Sequence, residues 1–222
     1  MKGFFTSITL AFALILTGCA KNNKQLTDYS AFRDSKPRSI LVLPPVNQSP
    51  DVNASHSFLS TVTMPIAESG YYVFPVAVVE ETFKQNGVTS PDDIRATPLK
   101  KLRDIFGADT VMYITVTGYG TSYQVVNSDT RVTATARLVD LRSGKELWKG
   151  GATASTNEGQ NNSGGGLLGI LITAAVTQIA NSATEKAHDI AGITSARMFD
   201  AGTNGGLLYG PRSPKFGQTA QQ

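Results

Sequence analysis

The residue with the clearest chemistry is Cys19, the only cysteine among 222 residues. A lone cysteine excludes an internal disulfide and a thiolate zinc site. It follows Leu16-Thr17-Gly18, and these residues close a largely apolar stretch, residues 4–16, that has no charge and is preceded by Lys2. A positive start, an apolar stretch and small residues before the cleavage site are typical of a signal peptide. With the cysteine in this position we expect a lipobox, with residues 1–18 removed and a diacylglycerol attached to the Cys19 thiol.

The predicted lipid would anchor the mature chain to a membrane. Each buried methylene contributes ~0.8 kcal/mol, so several acyl chains on Cys19 give stable attachment. An uncleaved signal anchor is the alternative, but the apolar stretch is short against the ~20 residues of a helical span. Ala20 follows the cysteine, where an aspartate would signal retention in the inner membrane of enterobacteria. We therefore expect attachment to outer-membrane lipid, with the domain facing the periplasm.

Composition excludes two further classes of protein. Charged residues make up 17% of the chain and the net charge is +3, whereas soluble domains average about 25% charged residues and nucleic-acid binders are usually strongly basic. Nucleic acid is therefore not an expected partner. No apolar run reaches 18 residues, so a polytopic membrane protein is also excluded.

Other residues that could do chemistry are isolated. His56 and His188 belong to no HxxxH or HExxH pattern, and neither GxSxG nor SxxK occurs. The pattern Gly164-x-Gly166-x-x-Gly169 precedes a predicted helix but does not directly follow a strand, as a dinucleotide site requires. We therefore expect no catalytic residue, no metal and no cofactor.

Five tyrosines lie near predicted strands and offer a second candidate site. They could form a ligand-binding face, or they could simply pack in the core, which β-propensity favours. These residues are Tyr71, Tyr72, Tyr113, Tyr119 and Tyr123.

The elements that position these residues indicate an α/β fold. Residues 39–43 read as a strand, residues 53–69 as a helix and residues 71–76 as a second strand, which predicts a parallel pair joined by a right-handed crossover. Helices are expected from residues 76, 91 and 98, and strands over 110–117, 131–139 and 145–154. Together these elements predict a mixed parallel and antiparallel sheet with helices packed on it. The expected domains are a signal peptide, residues 1–18, a lipidated tether, 19–38, the α/β domain, 39–200, and a Gly/Pro-rich tail, 201–222.

A long C-terminal helix is predicted from Leu167 to about Phe199, and its first half is unusually apolar. Burial in the core, a subunit interface and contact with a membrane are all consistent with that composition, although fourteen apolar residues are too few to span a bilayer. A homo-oligomer is accordingly among the expected assemblies. The candidate interface residues are Leu167, Leu168, Ile170, Leu171 and Ile172.

Several motifs together resemble a family of outer-membrane lipoproteins whose best-known member is a neisserial vaccine antigen identified from genome sequence. Besides the lipobox, they are Leu41-Val42-Leu43-Pro44-Pro45-Val46-Asn47, Gly70-Tyr71-Tyr72-Val73-Phe74-Pro75-Val76, Ile105-Phe106-Gly107-Ala108-Asp109, Tyr119-Gly120-Thr121-Ser122-Tyr123, Ala136-Arg137-Leu138-Val139-Asp140-Leu141 and Leu208-Tyr209-Gly210-Pro211. The resemblance implies a fold similar to the N-terminal domain of TolB. It implies no enzymatic activity, and it suggests envelope partners that include a curli-secretion-type lipoprotein.

The resulting expectation is a non-enzymatic, lipid-anchored module that binds envelope proteins within a secretion or transport assembly. A regulator of peptidoglycan synthesis is the first alternative. A small-ligand carrier or hydrolase that uses the tyrosine-rich face is the second.

Overall fold

The computed structural model describes residues 27–123, 128–158 and 183–218. Six strands form one sheet: β1 Ser39–Val42, β2 Val46–Asn47, β3 Tyr72–Val73, β4 Thr110–Tyr123, β5 Ser128–Asp140 and β6 Glu146–Ser155. Their order is β3-β1-β4-β5-β6, with β2 paired beside β1 on β4. The pairs β1–β3, β1–β4 and β2–β4 are parallel, whereas β4–β5 and β5–β6 are antiparallel. The predicted mixed α/β fold is therefore confirmed.

The parallel half follows the predicted strand, helix, strand order. All of Ile40, Leu41 and Val42 are buried, as expected for a strand covered on both faces. Helix α2, Ala54–Glu68, buries Phe58 and Val62, which recur at helical spacing on its inner face. The second strand is shorter than predicted, because β3 ends at Val73 and Pro75, which has no N–H to offer a ladder, soon follows.

Helices cover both faces of the parallel half. On one side lie α3 Val76–Gln85, α4 Pro91–Arg95 and α5 Leu99–Phe106, which meet the sheet through Val79, Phe83, Ile94 and Leu102. Gly107 ends α5 in the left-handed conformation, as glycine permits. On the other side α2 packs beside the C-terminal helix α6, Ala183–Met198. Each helix of the parallel half was expected from sequence.

The antiparallel half has one buried and one exposed face, as the alternation in residues 131–138 predicted. Val132, Ala134, Ala136 and Leu138 are buried against α6. Helix α6 contributes Ile190 to this core. The predicted long helix is thus confirmed over Ala183–Met198, while its apolar first half lies outside the described residues.

The chain joins the fold earlier than the expected tether implied. Helix α1, Ser30–Ser35, lies within residues 19–38, and Phe32 is buried in the main core. The Ser35 hydroxyl donates a hydrogen bond to Asp140 at the end of β5, which fixes α1 against the sheet. Phe32 contributes to this attachment, because burying Phe contributes about 1.5–3 kcal/mol.

The C-terminal segment also belongs to the core. Leu207 is fully buried, and Trp148 donates a hydrogen bond through Nε1 to the Gly205 carbonyl at 2.8 Å. The Trp148 ring lies 6.1 Å from that of Phe199. The predicted Gly/Pro-rich tail, residues 201–222, therefore packs against the domain through its first part, whereas residues 214–218 are exposed.

Within these three described ranges, the helices are all too short or too polar to cross a membrane.

Candidate functional site

Helix α1 and the C-terminal segment enclose a groove at the amino-terminal ends of β1 and β3. Its volume is about 500 Å³, within the ~300–1,000 Å³ typical of small-molecule sites. The apolar lining consists of Phe32, Tyr71, Leu208, Tyr209, Pro211 and Phe216. Phe32 and Tyr71 are buried, but Phe216 is 57% exposed at the rim. We call this feature the terminal groove.

Two tyrosines hold the C-terminal wall of the terminal groove. The Tyr29 hydroxyl donates to the Gly206 carbonyl and the Tyr71 hydroxyl to the Leu208 carbonyl, each at 2.6 Å. Burial raises the pKa of both phenols, because a phenolate would lose its hydration. Both tyrosines therefore remain protonated donors at neutral pH.

A glycine pair brings two of the family motifs into contact. The Gly210 amide donates to the Ser69 carbonyl at 2.7 Å, and the Arg212 amide donates to the Gly70 carbonyl at 3.1 Å. Gly70 has φ +98°, and a Cβ placed on it would lie 2.5 Å from the Ser213 nitrogen. Only glycine fits there, so Gly70 and Gly210 join the motifs at residues 70–76 and 208–211 beside the terminal groove.

The polar rim of the terminal groove is cationic. Arg33, Lys36 and Arg38 line it, and none of its twelve lining residues is acidic. Lys36 has φ 47° and ψ 56°, the left-handed conformation that glycine or asparagine usually occupies. It is the one residue other than glycine with a positive φ in the ranges that the structure describes.

A second surface is the exposed side of β5 and β6, which we call the open sheet face. It consists of Thr133, Thr135, Arg137, Lys149, Gly151 and Thr153, which pair across the two strands. The hydroxyls of Thr133 and Thr153 lie 3.0 Å apart. Helices α3 to α5 cover only the parallel half, so this part of the sheet remains exposed.

Tyr113 lies where the open sheet face meets the helices. The guanidinium of Arg137 lies 4.9 Å from its ring centroid and that of Arg95 5.6 Å. Burial raises the pKa of the Tyr113 hydroxyl, and the two arginines partly oppose that shift. The ring therefore packs beneath two cations, in an arrangement worth about 0.5–2 kcal/mol per pair.

A hydroxyl and imidazole cluster joins three elements on the opposite side of the sheet. Ser57 Oγ lies 2.9 Å from His188 Nδ1 and 2.6 Å from the Tyr119 hydroxyl. Serine activation needs a histidine that is itself oriented by a third group, and no hydrogen bond from another described residue to His188 is present. These bonds connect α2, β4 and α6.

A crevice of about 520 Å³ lies beyond the carboxyl end of β1. Ligands of open α/β sheets often bind in this position. His56 Nδ1 lies 3.4 Å from Glu80, with His56 78% exposed, and Lys84 also lines the crevice. An exposed imidazole beside one carboxylate provides neither a metal site nor a general base held away from water.

Cys19 and the candidate interface residues Leu167, Leu168, Ile170, Leu171 and Ile172 lie outside the described residues, as does the Gly164–Gly169 pattern. Among the residues that are described, no three His, Cys, Asp or Glu side chains gather as metal ligands.

The five tyrosines do not share one face. Tyr71 and Tyr119 lie in the main core, Tyr113 lies in the core on the other side of the sheet, and Tyr72 and Tyr123 are exposed. Core packing therefore accounts for three of the five.

Sequence reasoning missed the terminal groove. The signal that could have revealed it is the short run Phe32-Arg33-Asp34-Ser35-Lys36-Pro37-Arg38, where three cations follow one aromatic residue. A tether does not explain why this run contains an aromatic side chain.

Comparison with known proteins tests the family resemblance. Residues 27–212 match the family described as "Putative lipoprotein GNA1162-like". The chain is 52% identical over 203 residues to "Putative lipoprotein NMB1124/NMB1162" of Neisseria meningitidis serogroup B, covering 91% of this chain and 94% of that protein.

A solved structure supports the same family. The crystal structure of lipoprotein GNA1162 from Neisseria meningitidis is 61% identical, with a TM-score of 0.54, and covers 66% of this chain and 100% of that chain. The C-terminal domain of LpoB from Salmonella enterica is a more distant likeness, at 19% identity and a TM-score of 0.40, covering 54% of this chain and 84% of that chain. The resemblance inferred from the motifs is confirmed, and the chain belongs to the GNA1162-like family of putative lipoproteins.

Proposed function

We propose that this lipoprotein is a non-enzymatic module of the outer membrane, anchored through Cys19 and facing the periplasm, that binds other envelope proteins in a secretion or transport assembly. The observation that supports it best is the open sheet face. This two-stranded surface carries threonine hydroxyls and two cationic side chains, and its backbone is held in place by the hydrogen-bond ladder between β5 and β6.

The geometry of the open sheet face suits a protein partner. The ladder of hydrogen bonds between β5 and β6 fixes the spacing of its side chains, with partners across the strands ~4.5–5.5 Å apart. A preformed surface of this kind loses little conformational entropy on binding, which favours affinity. Thr135 lies near its centre and is exposed.

Charge defines the kind of partner. Arg137 and Lys149 are paired across the two strands, both are exposed, and neither forms an ion pair within the described part of the chain. Adjacent cations of this kind favour an acidic partner surface and would speed its encounter. Binding should weaken as salt rises, because the Debye length falls from ~10 Å at 0.1 M to ~3 Å at 1 M.

The central experiment is photo-crosslinking in intact cells from residue 135. A photo-reactive amino acid at Thr135 should give a discrete adduct with an envelope protein, and Arg137→Glu with Lys149→Glu should remove it. The matched control is the same probe at Lys101, which is exposed on α5 away from this face. Equal adducts from both positions, or none from Thr135, would reject the proposal.

The identity of the crosslinked protein separates the functional alternatives. A secretion or transport component supports the proposal as stated. A peptidoglycan synthase, followed by stimulation of the purified enzyme, would instead establish the regulatory alternative.

The anchor has a separate test. Cys19→Ser should move the protein from the membrane fraction to the soluble fraction, because the thiol is the only atom to which the diacylglycerol can be attached. Retention of the variant in the membrane would refute lipid anchoring through Cys19.

A further inference from the structure

The terminal groove combines an apolar floor with a rim of one charge. Arg33, Lys36 and Arg38 are all exposed, and none forms an ion pair within residues 27–123, 128–158 and 183–218. Guanidinium and ammonium groups bind phosphate strongly, arginine through two parallel hydrogen bonds. The ligand that matches this lining is an amphiphile with an anionic head and a hydrocarbon tail.

The apolar part is large enough for hydrocarbon. The Phe32 and Tyr71 rings pack with centroids 6.4 Å apart, while Phe216 is exposed at the mouth. A volume of about 500 Å³ exceeds what a phosphate group alone would need. An exposed aromatic side chain on the rim favours contact with a ligand that is itself partly apolar.

The length of chain between Cys19 and Tyr29 limits how far the terminal groove can lie from the membrane. Tyr29, whose hydroxyl holds the groove wall, lies ten positions after Cys19. Even fully extended, ten residues span only about 35 Å. The terminal groove is therefore confined to the vicinity of the membrane in which Cys19 is anchored.

From these observations we infer that the terminal groove binds a phospholipid of the anchoring membrane. The phosphate lies among Arg33, Lys36 and Arg38, and the glycerol and upper acyl chain lie on Phe32, Tyr71 and Phe216. The membrane supplies this ligand at high effective concentration, since the anchor makes the second contact intramolecular. A weak intrinsic affinity is then sufficient to hold the domain against the surface.

The conformation of Lys36 agrees with this assignment. A residue other than glycine in the left-handed region is strained, and such strain persists mainly at functional sites. Glycine at this helix end would remove the strain and the charge together. A lysine at this strained position is therefore explained if its ammonium group binds a ligand.

The inference rests on the lipid anchor of the proposed function but not on any protein partner. It orients the domain, because docking through the terminal groove would fix which surfaces face away from the membrane. Failure of lipid binding would leave the crosslinking result from Thr135 unaffected, so the two proposals can fail separately.

The test uses the mature chain, residues 19–222, carrying Cys19→Ser so that no covalent lipid contributes. We expect it to sediment with vesicles that contain phosphatidylglycerol and not with vesicles of phosphatidylcholine alone. Replacing Arg33, Lys36 and Arg38 by Gln should weaken binding roughly 100-fold, since each cation near an anionic surface contributes about fivefold. Unchanged Trp148 fluorescence will verify that this variant is folded.

The matched control removes the same charge elsewhere. Lys100, Lys101 and Arg103 are exposed on α5, and their replacement by Gln should leave vesicle binding within a few-fold of the parent. Equal losses in the two triple variants would mean general attraction to an anionic surface and would overturn the assignment. Absence of binding to phosphatidylglycerol vesicles would also overturn it.

A soluble lipid tests the apolar half. Dihexanoyl phosphatidylglycerol, below its micelle concentration, should bind the same chain more tightly than glycerophosphoglycerol, and Phe216→Ser should weaken the lipid severalfold while leaving the headgroup compound unchanged. If both compounds bind equally, the terminal groove is a phosphate site rather than a phospholipid site, and the inference is wrong.

Discussion

Replacing Gly70 by alanine tests the contact on which the terminal groove depends. Gly70 has φ +98°, and its added methyl carbon would meet the Ser213 nitrogen at 2.5 Å and the Gly210 oxygen at 2.8 Å. The three atoms nearest to the added methyl carbon all belong to the C-terminal segment, which must therefore move. The two hydrogen bonds that join residues 69–70 to residues 210–212 should then be lost.

The expected cost is about 3–4 kcal/mol. A positive φ costs alanine roughly 1–2 kcal/mol relative to glycine, and each lost hydrogen bond costs about 1 kcal/mol. For a chain of this length each kcal/mol lowers Tm by about 2–4 °C, so we expect a decrease of about 10 °C. Thermal unfolding followed by Trp148 fluorescence measures it directly, because this side chain donates to the Gly205 carbonyl in the same segment.

Gly87→Ala is the matched control. Gly87 has φ +75° at the end of α3, but nothing lies within 4 Å of the added methyl carbon. Gly87→Ala should therefore lower the free energy of unfolding only by the cost of a positive φ for alanine, about 1–2 kcal/mol. Trypsin should also cleave at Arg212 and Lys215 faster in the Gly70 variant than in this control. If Gly70→Ala is no more destabilising than Gly87→Ala, the predicted clash does not exist and the reasoning is refuted.

Three further substitutions test single contacts. Lys36→Gly should raise the free energy of unfolding by about 1 kcal/mol, measured in urea, because it relieves a left-handed backbone; no change would mean that the strain is absent. Tyr71→Phe should cost about 1–3 kcal/mol in the same assay, since it leaves the Leu208 carbonyl without its donor, and a neutral result would contradict that bond. Although burial opposes the ionisation of Asp140, hydrogen bonds from Ser35 and the following turn hold its pKa below the ordinary value. The contribution of the ionised Asp140 to stability is therefore complete above about pH 5 and lost as pH falls below about 4. Tm of Asp140→Asn should then vary less with pH than Tm of the parent, and parallel profiles would contradict the assignment.

The parallel half could be predicted because its signals are local. Pro98 before α5, Gly107 after it and the apolar spacing of α2 all act within a few residues of the element they define. The alternation that predicted the open sheet face is likewise a property of nine consecutive residues.

The terminal groove could not be predicted because its contacts join distant segments. Phe32 is buried by residues far along the chain, and the donors that hold the C-terminal segment are tyrosine hydroxyls that bond to backbone carbonyls. A backbone carbonyl has no sequence signature. The polar composition of residues 21–37 therefore indicated a tether, although Tyr29 and Phe32 attach its second half to the core.

The bond between Tyr29 and Gly206 joins residues 177 positions apart. During synthesis, residues 29–38 emerge long before residues 206–216, so one wall of the terminal groove exists for an interval without the other. Closing such a distant contact is entropically slow and comes late in folding. Phospholipid binding in the terminal groove would therefore begin only after nearly the whole domain had been synthesised and folded. Only the completed domain would then be docked on the membrane.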